Sequence, residues 1–294
     1  MSKGGFFTTF GQKRDTEKNK IAKKLAKIRF KIMVHSGKGG VGKSTVAANL
    51  ATSFARQNFA VGLLDLDIHG PNIPKIMGIE EQSLKMNNKG IEPVSFLPNL
   101  KVVSIALLLY NREEPVIWRS PMKYGLIQQL IKDVNWGKLD YLIVDMPSGT
   151  GDDPLSIINI LKQFNGTVIV TTPQELSLLN TKKVIQFALK MNIPVIGLIE
   201  NMSGMVCPHC NQTVEIFRSG GGEKTAQEFE IPFLGRIPMD PGIVVSTDTG
   251  VPFVISQPKS IASDCFGEIA ERIRNFIEKD EKILIYAKTI YKEE

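Results

Sequence analysis

The sequence predicts an α/β fold with a mostly parallel sheet of about seven to eight strands and helices on both faces. Three observations lead to this prediction. Short β-branched runs alternate with helical segments, a glycine-rich loop joins the first run to a helix, and several runs end in a carboxylate. Nearly continuous apolar runs are typical of parallel strands that are covered on both faces. Ligands of such sheets lie beyond the carboxyl ends of the strands, so a binding site is expected at that edge.

Seven runs are interpreted as strands because they combine β-branched residues with near-continuous hydrophobicity. Asp65, Asp145 and Glu200 end three of them, which places carboxylates at the expected binding edge. The seven runs are residues 31–35, 61–65, 102–106, 141–145, 167–171, 195–200 and 232–235.

The loop after the first run fits the pattern G-x-x-x-x-G-K-[ST], which makes this fold a P-loop NTPase. Its glycines let the backbone approach phosphate oxygens, where a Cβ atom would collide. Lys43 is expected to reach the β- and γ-phosphates of ATP, and the Ser44 hydroxyl to ligate Mg²⁺. The strand before the loop and the helix after it argue against the alternative, a turn that binds nothing. The residues expected to contact the nucleotide here are Gly37, Lys38, Gly39, Gly40, Val41, Gly42, Lys43, Ser44 and Thr45.

Lys38, the second residue of the loop, indicates a contact between two subunits. Lys43 already serves the nucleotide of its own subunit, so a lysine that points outward is expected to meet a phosphate on a facing subunit. The loop resembles that of the deviant Walker A ATPases, in which such a lysine is the signature. This resemblance implies a nucleotide-dependent homodimer. The alternative is a solvated surface lysine.

Two further segments carry carboxylates at predicted strand ends. Asp145 precedes a glycine-rich turn, a pattern typical of a Walker B aspartate that holds Mg²⁺ and of a switch that senses the γ-phosphate. Asp67 lies just past another strand end and is expected to position the attacking water or to bind Mg²⁺ through water. In the alternative interpretation, Asp65 and Asp67 only cap the loop that follows. The candidate magnesium residues are Ser44, Asp67 and Asp145, and the candidate catalytic residues are Lys38, Lys43 and Asp67.

Cys207 and Cys210 form a C-x-x-C motif after the sixth predicted strand. Two thiolates at this spacing can bind one soft metal centre. A zinc ribbon needs a second C-x-x-C, which the chain lacks. Half a site in one chain therefore predicts a whole site across two chains, with four thiolates at a two-fold axis. An inert or redox-active thiol pair is the alternative, and His209 within the motif is interpreted as a bystander.

Two side chains outside these motifs are expected to be structural. Cys265 shares helical spacing with Ile261, Ile269 and Ile273, which predicts a buried core thiol. His35, at the end of the first predicted strand, is expected to pack beneath the loop.

Composition and charge limit the functional classes. The 294 residues are 43% hydrophobic and 22% charged, which is ordinary for a globular protein. No run approaches the ~18 apolar residues of a membrane span, so no membrane contact is expected. Three cysteines do not make a disulfide framework, so a reducing cytoplasm is expected. The domain organisation expected is a basic, partly helical arm over residues 1–28, an ATPase domain over 29–278 and a tail over 279–294.

The basic charge of the chain is concentrated in the arm. Residues 1–30 carry nine basic and two acidic side chains, or +7, whereas the whole chain carries +6. Ile21, Leu25 and Ile28 have the spacing of one apolar helical stripe. We therefore expect a helix docked on the body with a solvated basic face, and the alternative is a contact with nucleic acid or with an acidic partner.

Taken together, these motifs resemble the Mrp/ApbC family of P-loop ATPases, carriers that hold and transfer iron–sulfur clusters. The resemblance covers roughly residues 31–277. The C-x-x-C that follows the segment 200–203 distinguishes this family from partition ATPases with the same loop. Its other motifs are residues 36–45, 65–74, 118–122, 136–141, 172–174, 220–223 and 237–241.

The resemblance implies roles for particular residues. Asn201 is expected to hydrogen-bond the adenine, and Pro238 and Asp240 are expected to frame the base. Cys207 and Cys210 are expected to ligate a [4Fe–4S] cluster shared by two subunits. Ser148 stands where the family usually has proline, which is expected to alter the switch turn and the rate of hydrolysis.

The leading hypothesis is a homodimeric carrier that uses ATP, hydrolyses it slowly and transfers the cluster to apo iron–sulfur proteins. A partition or positioning ATPase of the MinD/ParA kind is the first alternative. It explains the basic arm better and the C-x-x-C worse. A zinc-stapled dimeric ATPase is the second alternative, and it differs from the carrier only in the metal that the four thiolates bind.

Overall fold

Nine strands form one sheet in the part of the chain that the structure describes. In this computed structural model, that part comprises residues 24–88, 90–108, 120–161, 164–206, 210 and 212–290. The strands of this sheet and of a separate two-stranded hairpin are β1 (Ile28–Ser36), β2 (Val61–Asp65), β3 (Lys85–Asn87), β4 (Gly90–Glu92), β5 (Val94–Leu97), β6 (Leu100–Ser104), β7 (Leu139–Asp145), β8 (Gly166–Thr171), β9 (Val195–Val206), β10 (Thr213–Val214) and β11 (Phe233–Met239).

The order of strands in this sheet is β10-β9-β8-β1-β7-β2-β6-β5, and β11 pairs with β9. Seven of these strands run parallel to their neighbours, as the apolar runs predicted. The short strands β5 and β10 add antiparallel pairs to β6 and β9. A separate hairpin consists of β3 and β4. The predicted α/β fold class is confirmed.

Helices cover the sheet because its central strands are apolar on both faces. Every residue of β8 is buried, and so is every residue of β1 except Arg29. The helix over Lys43–Arg56 packs on β1, β2 and β7 and also touches the last helix, over Ile261–Ile290. The helix over Glu175–Lys190 packs on β8 and touches the helix over Gly221–Glu228. The helices are α1 (Lys43–Arg56), α2 (Ile73–Ile76), α3 (Ser120–Asp133), α4 (Asp152–Leu161), α5 (Glu175–Lys190), α6 (Gly221–Glu228), α7 (Pro241–Thr249), α8 (Phe253–Ser256) and α9 (Ile261–Ile290).

Several element boundaries differ from those predicted. Ile28 begins β1 instead of extending a helical stripe from Leu25, because it pairs with Leu139 of β7. Residues 1–23, which hold most of the predicted arm, lie outside the described residues. The predicted strand 102–106 ends at Ser104, and a 3-10 helix follows over Ile105–Leu108.

The last helix departs from the sequence interpretation in two ways. It continues to Ile290, through most of the predicted tail. Its Cys265 is half-buried instead of lying in the core, and Ile261 is 62% exposed. The buried face of α9 carries Phe266 instead. Burial raises the pKa of the Cys265 thiol. Among the helices of the described ranges, none has the length and apolar character needed to cross a membrane.

Candidate functional site

The glycine-rich loop lies between the end of β1 and the start of α1, at the carboxyl edge of the sheet. Gly42 precedes α1 with φ of 81°, in the left-handed region that favours glycine. A Cβ atom at Gly42 would stand 2.3 Å from the side-chain nitrogen of Asn201. No side chain caps α1 by a hydrogen bond within the described residues. The first amide groups of α1 and its dipole therefore remain available to an anion.

A cavity of about 550 Å³ opens over this loop. Its wall includes Asp67 and His69 from the segment after β2, and Ser148 from the predicted switch turn after β7. Gly37 and Val41 lie outside the wall, since Gly37 packs against the backbone of Asn180 and Val41 is buried. The other seven predicted loop residues line the cavity: Lys38, Gly39, Gly40, Gly42, Lys43, Ser44 and Thr45.

Lys43 forms the centre of a buried charge cluster below the cavity. Its Nζ lies 2.7 Å from an oxygen of Asp145 and 3.3 Å from an oxygen of Asp67. It is also 3.4 Å from the Ser44 hydroxyl. Burial alone would lower the pKa of Lys43, but the two carboxylates raise it, so the ammonium stays charged. The cluster brings together Lys43, which was predicted to reach the β- and γ-phosphates, and the three predicted magnesium residues, Ser44, Asp67 and Asp145.

Asp65 has a supporting position within this cluster. It is fully buried, and its carboxyl group accepts hydrogen bonds from the Ser104 hydroxyl at 2.8 Å and from the Asp67 amide at 3.1 Å. Burial and the neighbouring Asp145 raise the pKa of Asp65 to about 8. Asp65 therefore caps the turn as the alternative interpretation had it, whereas Asp67 faces the cavity.

The donor groups in this cluster fit a magnesium ion. The second oxygen of Asp145, Oδ2, is buried and has no hydrogen-bond partner among the described residues. An orphaned carboxylate oxygen beside a serine hydroxyl is a ligand set that Mg²⁺ accepts together with phosphate oxygens. Burial raises the pKa of Asp145, which Lys43 opposes. A divalent cation would offset the excess of carboxylates at this point.

His35 connects the loop to the switch turn after Asp145. It is 1% exposed, as predicted, and its Nε2 lies 2.7 Å from the carbonyl oxygen of Gly149. The Gly149 amide in turn donates to the Ser36 carbonyl oxygen at 2.8 Å. Burial, with a smaller contribution from the charge of Lys43, lowers the pKa of His35 to about 4. The imidazole is therefore neutral near pH 7 and donates its Nε2 proton to Gly149.

Lys38 points away from the charge cluster. Its Nζ lies 3.4 Å from the side-chain oxygen of Gln174, the residue before α5. On the same helix, Leu176 is 64% exposed and Leu179 is 56% exposed. Lys38 therefore stands between the cavity and an exposed apolar surface.

A second cavity of about 180 Å³ adjoins the first and contains the residues predicted to frame the base. Asn201, Pro238 and Asp240 all line it. The side-chain amide of Asn201 donates to the Val41 carbonyl oxygen at 2.9 Å, and Asp240 caps α7 by accepting from the Gly242 amide at 2.8 Å. The two cavities share Gly42, Thr45 and Met202 in their walls. A nucleotide with its phosphates in the first cavity can thus place its base in the second.

A polar cluster at the mouth of the larger cavity was missed in the sequence. Lys123 of α3 lies 2.8 Å from Nε2 of His69 and 3.4 Å from a carboxylate oxygen of Asp153 in the first turn of α4. Lys123 thereby bridges the segment after β2 and the first turn of α4. Its position in a helix far along the chain, without a motif, gave no signal in the sequence.

Cys210 of the C-x-x-C motif lies between the two strands of a hairpin, β9 and β10. The end of β9 pairs with β10 in antiparallel register, Met205 with Val214. Residues 207–212 join these strands, and Cys210 is exposed with a free thiol. Cys207 and His209 lie outside the described residues. The apolar run predicted a strand that ends at Glu200, because the polar residues that follow interrupt the run.

Comparison with known proteins gives the same picture as the motifs. A family model described as NUBPL iron-transfer P-loop NTPase, of the ParA group, matches residues 27–274. The chain is 49% identical over 259 residues to the iron-sulfur cluster carrier protein of Methanocaldococcus jannaschii, which covers 88% of this chain and 89% of that protein.

Solved structures of similar proteins share the fold. The nucleotide-binding protein of Archaeoglobus fulgidus in complex with ADP has a TM-score of 0.73 and 37% identity, over 85% of this chain and 96% of that one. The septum site-determining protein MinD of Pyrococcus horikoshii, complexed with Mg-ADP, has a TM-score of 0.64 and 24% identity, over 84% and 96%. At that identity, the MinD likeness concerns the fold alone.

Proposed function

Because this chain belongs to the family of NUBPL-type iron-transfer P-loop NTPases, we propose that it is an ATP-dependent iron–sulfur cluster carrier. The observation that carries this proposal is the position of Cys210 in the hairpin of β9 and β10, because β9 also lines the base cavity. A relative at 49% identity is named as such a carrier. The carrier function requires a nucleotide site and a metal-binding site in one molecule, and this chain has candidates for both.

The nucleotide site is proposed to bind ATP with its phosphates on the glycine-rich loop. Lys43 would exchange its contacts with Asp145 and Asp67 for phosphate oxygens, while the amide groups at the start of α1 bind the same phosphates. Mg²⁺ held by Ser44, Asp67 and Asp145 would supply neutralising charge to the phosphates. Asn201, Pro238 and Asp240 are proposed to recognise and frame the adenine.

Hydrolysis is proposed to be slow water attack on the γ-phosphorus. The bond from this phosphorus to the bridging oxygen breaks, and ADP and inorganic phosphate are released. Asp67, at the cavity wall, would orient the water, and Lys43 would stabilise charge on the phosphoryl oxygens. His35 holds the Gly149 turn against β1, which positions the segment that senses the γ-phosphate.

A homodimer is proposed to complete both sites. Among the described residues, the Lys38 ammonium has one hydrogen-bond contact, with Gln174 at 3.4 Å, and we propose that it turns toward a facing nucleotide. The exposed Leu176 and Leu179 beside it supply apolar surface of the kind that subunit contacts bury.

The cargo is proposed to be a [4Fe–4S] cluster held by Cys207 and Cys210 of two subunits. Four thiolates complete the ligand set of such a cluster, and one chain supplies two. Its acceptors would be apo iron–sulfur proteins. Thiolate ligands need a reducing compartment, which supports a cytoplasmic location. The MinD/ParA alternative has support from the fold alone, and no membrane or nucleic-acid partner is proposed.

The test is metal and sulfide analysis of protein purified without oxygen and reconstituted with iron and sulfide. We expect about four irons and four sulfides per two chains. Replacement of both thiols, Cys207→Ala with Cys210→Ala, should abolish binding, whereas Cys265→Ala is the matched control that removes a cysteine from α9 and should retain the cluster. Zinc in place of iron would favour the zinc-stapled ATPase. A cluster retained by the double variant would contradict the proposal.

A further inference from the structure

Two consecutive side chains of β9 serve different sites. Asn201 lines the base cavity and donates to the Val41 carbonyl oxygen of the glycine-rich loop at 2.9 Å. Met202 and Met205, further along the strand, line the same cavity. A nucleotide base in this cavity therefore contacts β9 over several residues.

Glu200, the residue before Asn201, is fully buried and turns to the other side of the strand. One of its oxygens accepts from the Ser203 hydroxyl at 2.5 Å and from the Gly220 amide at 2.9 Å. The other oxygen accepts from the Gly222 amide at 2.5 Å. Arg236 of β11 adds an ion pair at 3.6 Å. A Cβ atom at position 222 would lie 2.9 Å from this carboxylate, so glycine is needed there.

Two partners of Glu200, Ser203 and Gly220, lie at opposite ends of the segment that carries the cysteines. Ser203 lies four residues before Cys207, and Gly220 lies ten residues after Cys210. A single buried carboxylate, that of Glu200, thus joins a residue before the hairpin turn to a residue after β10. It also occupies the N-terminus of α6, where the helix dipole stabilises its charge.

The backbone between the two sites is distorted. Met202 has φ of 57° and Gly204 has φ of 69°, both within β9. A methionine in the left-handed region is unusual and marks stored strain. The pairing of β9 with β11 is irregular at the same point, between Ile237 and Met239. The strand therefore has a strained segment between the contact with the nucleotide loop and the stem of the cysteine hairpin.

We propose that Glu200 is a positioning residue that couples the nucleotide site to the cysteines of the same subunit through β9. Base binding shifts the segment from Asn201 to Met205, and Ser203 and Glu200 pass this shift to both ends of the hairpin. The role in cluster transfer rests on the proposed function, but the coupling itself is a property of the chain. Such coupling is reciprocal, so hairpin contacts also affect nucleotide affinity.

The test is hydrogen–deuterium exchange of the full-length, metal-free chain with and without Mg·ADP. In the wild type, Mg·ADP should slow exchange of the Met205, Val206, Gly220 and Gly222 amides by about tenfold. In Glu200→Gln, the two glycine amides should exchange about tenfold faster, because an amide group offers one acceptor oxygen instead of two charged ones. The effect of Mg·ADP on these glycines should disappear, while protection of residues 37–45 by Mg·ADP remains.

Glu223→Gln is the matched control. It removes a carboxylate from the same helix turn and from the same Arg236, but Glu223 accepts no bond from the glycine amides in the described residues. It should leave the effect of Mg·ADP unchanged. If Glu200→Gln does not fold, Ser203→Ala removes one donor from the same carboxylate and should weaken the effect at both glycines.

A full effect of Mg·ADP on Gly220 and Gly222 in folded Glu200→Gln would overturn the coupling. Cluster content is measured on separate anaerobic samples. A wild type that shows the exchange effect but binds no cluster would overturn the proposed function and support the coupling. A wild type that binds a cluster but shows no exchange effect would overturn the coupling alone.

Discussion

At the scale of single residues, buried charge dominates this protein. Lys43, Asp65, Asp67 and Asp145 form one cluster of a single cation and three carboxyl groups. With a proton on Asp65 near neutral pH, the ammonium of Lys43 offsets one of the two remaining carboxylates, and one negative charge is left for a metal ion to offset. His35, at the end of β1, stays neutral near pH 7 because its pKa is lowered. This neutrality has a consequence for stability that can be measured.

The variant His35→Gln should remove an acid sensitivity of the fold. The folded imidazole has a pKa of about 4 against 6.5 when unfolded, so between these values only the unfolded chain takes up the proton. The wild type should therefore lose about 1.4 kcal/mol of unfolding free energy per pH unit, relative to the variant, as pH falls from 6.5 toward 4. Glutamine keeps an N–H donor for Gly149 and does not titrate.

Urea unfolding of both proteins across this range is the measurement. The difference must be taken between proteins, because Asp65 acts with the opposite sign. Its raised pKa of about 8 makes the fold lose stability as pH rises from about 4 to 8. That contribution cancels in the comparison. Parallel stability curves for wild type and His35→Gln would contradict the prediction.

The sequence allowed residues of the phosphate site to be predicted, but not those that connect it to other sites. Asp67 and Asp145 could be predicted because strand ends of a parallel sheet meet at one edge. Glu200 also ends an apolar run, yet it lies on β9, two strands from the loop, and its main partners are backbone amides about 20 residues later. Lys123 meets His69 only through the packing of α3. Neither contact leaves a local pattern.

At the scale of elements, the seven parallel strands were predictable because each is a near-continuous apolar run. The edge strands β5 and β10 were not, since they have four and two residues. The extension of β9 past Glu200 was missed because Asn201 and Ser203 are polar. These polar side chains are buried against the glycine-rich loop and Glu200, so tertiary contacts override the local pattern.

The junction of the loop with α1 gives a prediction at this scale. Gly42→Ala should lower the free energy of unfolding by about 2 kcal/mol or more, because a Cβ atom would clash with Asn201 and the residue has a positive φ. Gly39→Ala is the control, since nothing lies within 4 Å of the added atom. Its effect should stay within about 0.5 kcal/mol. Thermal and urea unfolding without nucleotide measure both, and equal losses would refute the role assigned to the junction.

At the scale of the whole molecule, the surface beside Lys38 is expected to become an interface. Leu179→Asp should weaken dimerisation with a non-hydrolysable ATP analogue by about tenfold or more, since it places a charge in a buried apolar contact. Leu189→Asp is the matched control: this residue is 52% exposed and lies ten residues further along α5, about 15 Å away. Sedimentation velocity measures the dimer fraction, and ADP affinity should be unchanged in both. Equal dimerisation of the two variants would place the interface elsewhere.

The segment 203–220, which includes Cys210, begins and ends at residues that donate to the same carboxylate, since Ser203 and Gly220 both bond Glu200. In the language of protein engineering, this makes it a cassette. We expect that loops of other lengths and other ligand chemistry, grafted between these two anchors, would stay joined to Glu200 and through β9 to the nucleotide site. A carrier built in this way would change its cargo by a change in this segment, while the residues of the nucleotide site stay the same.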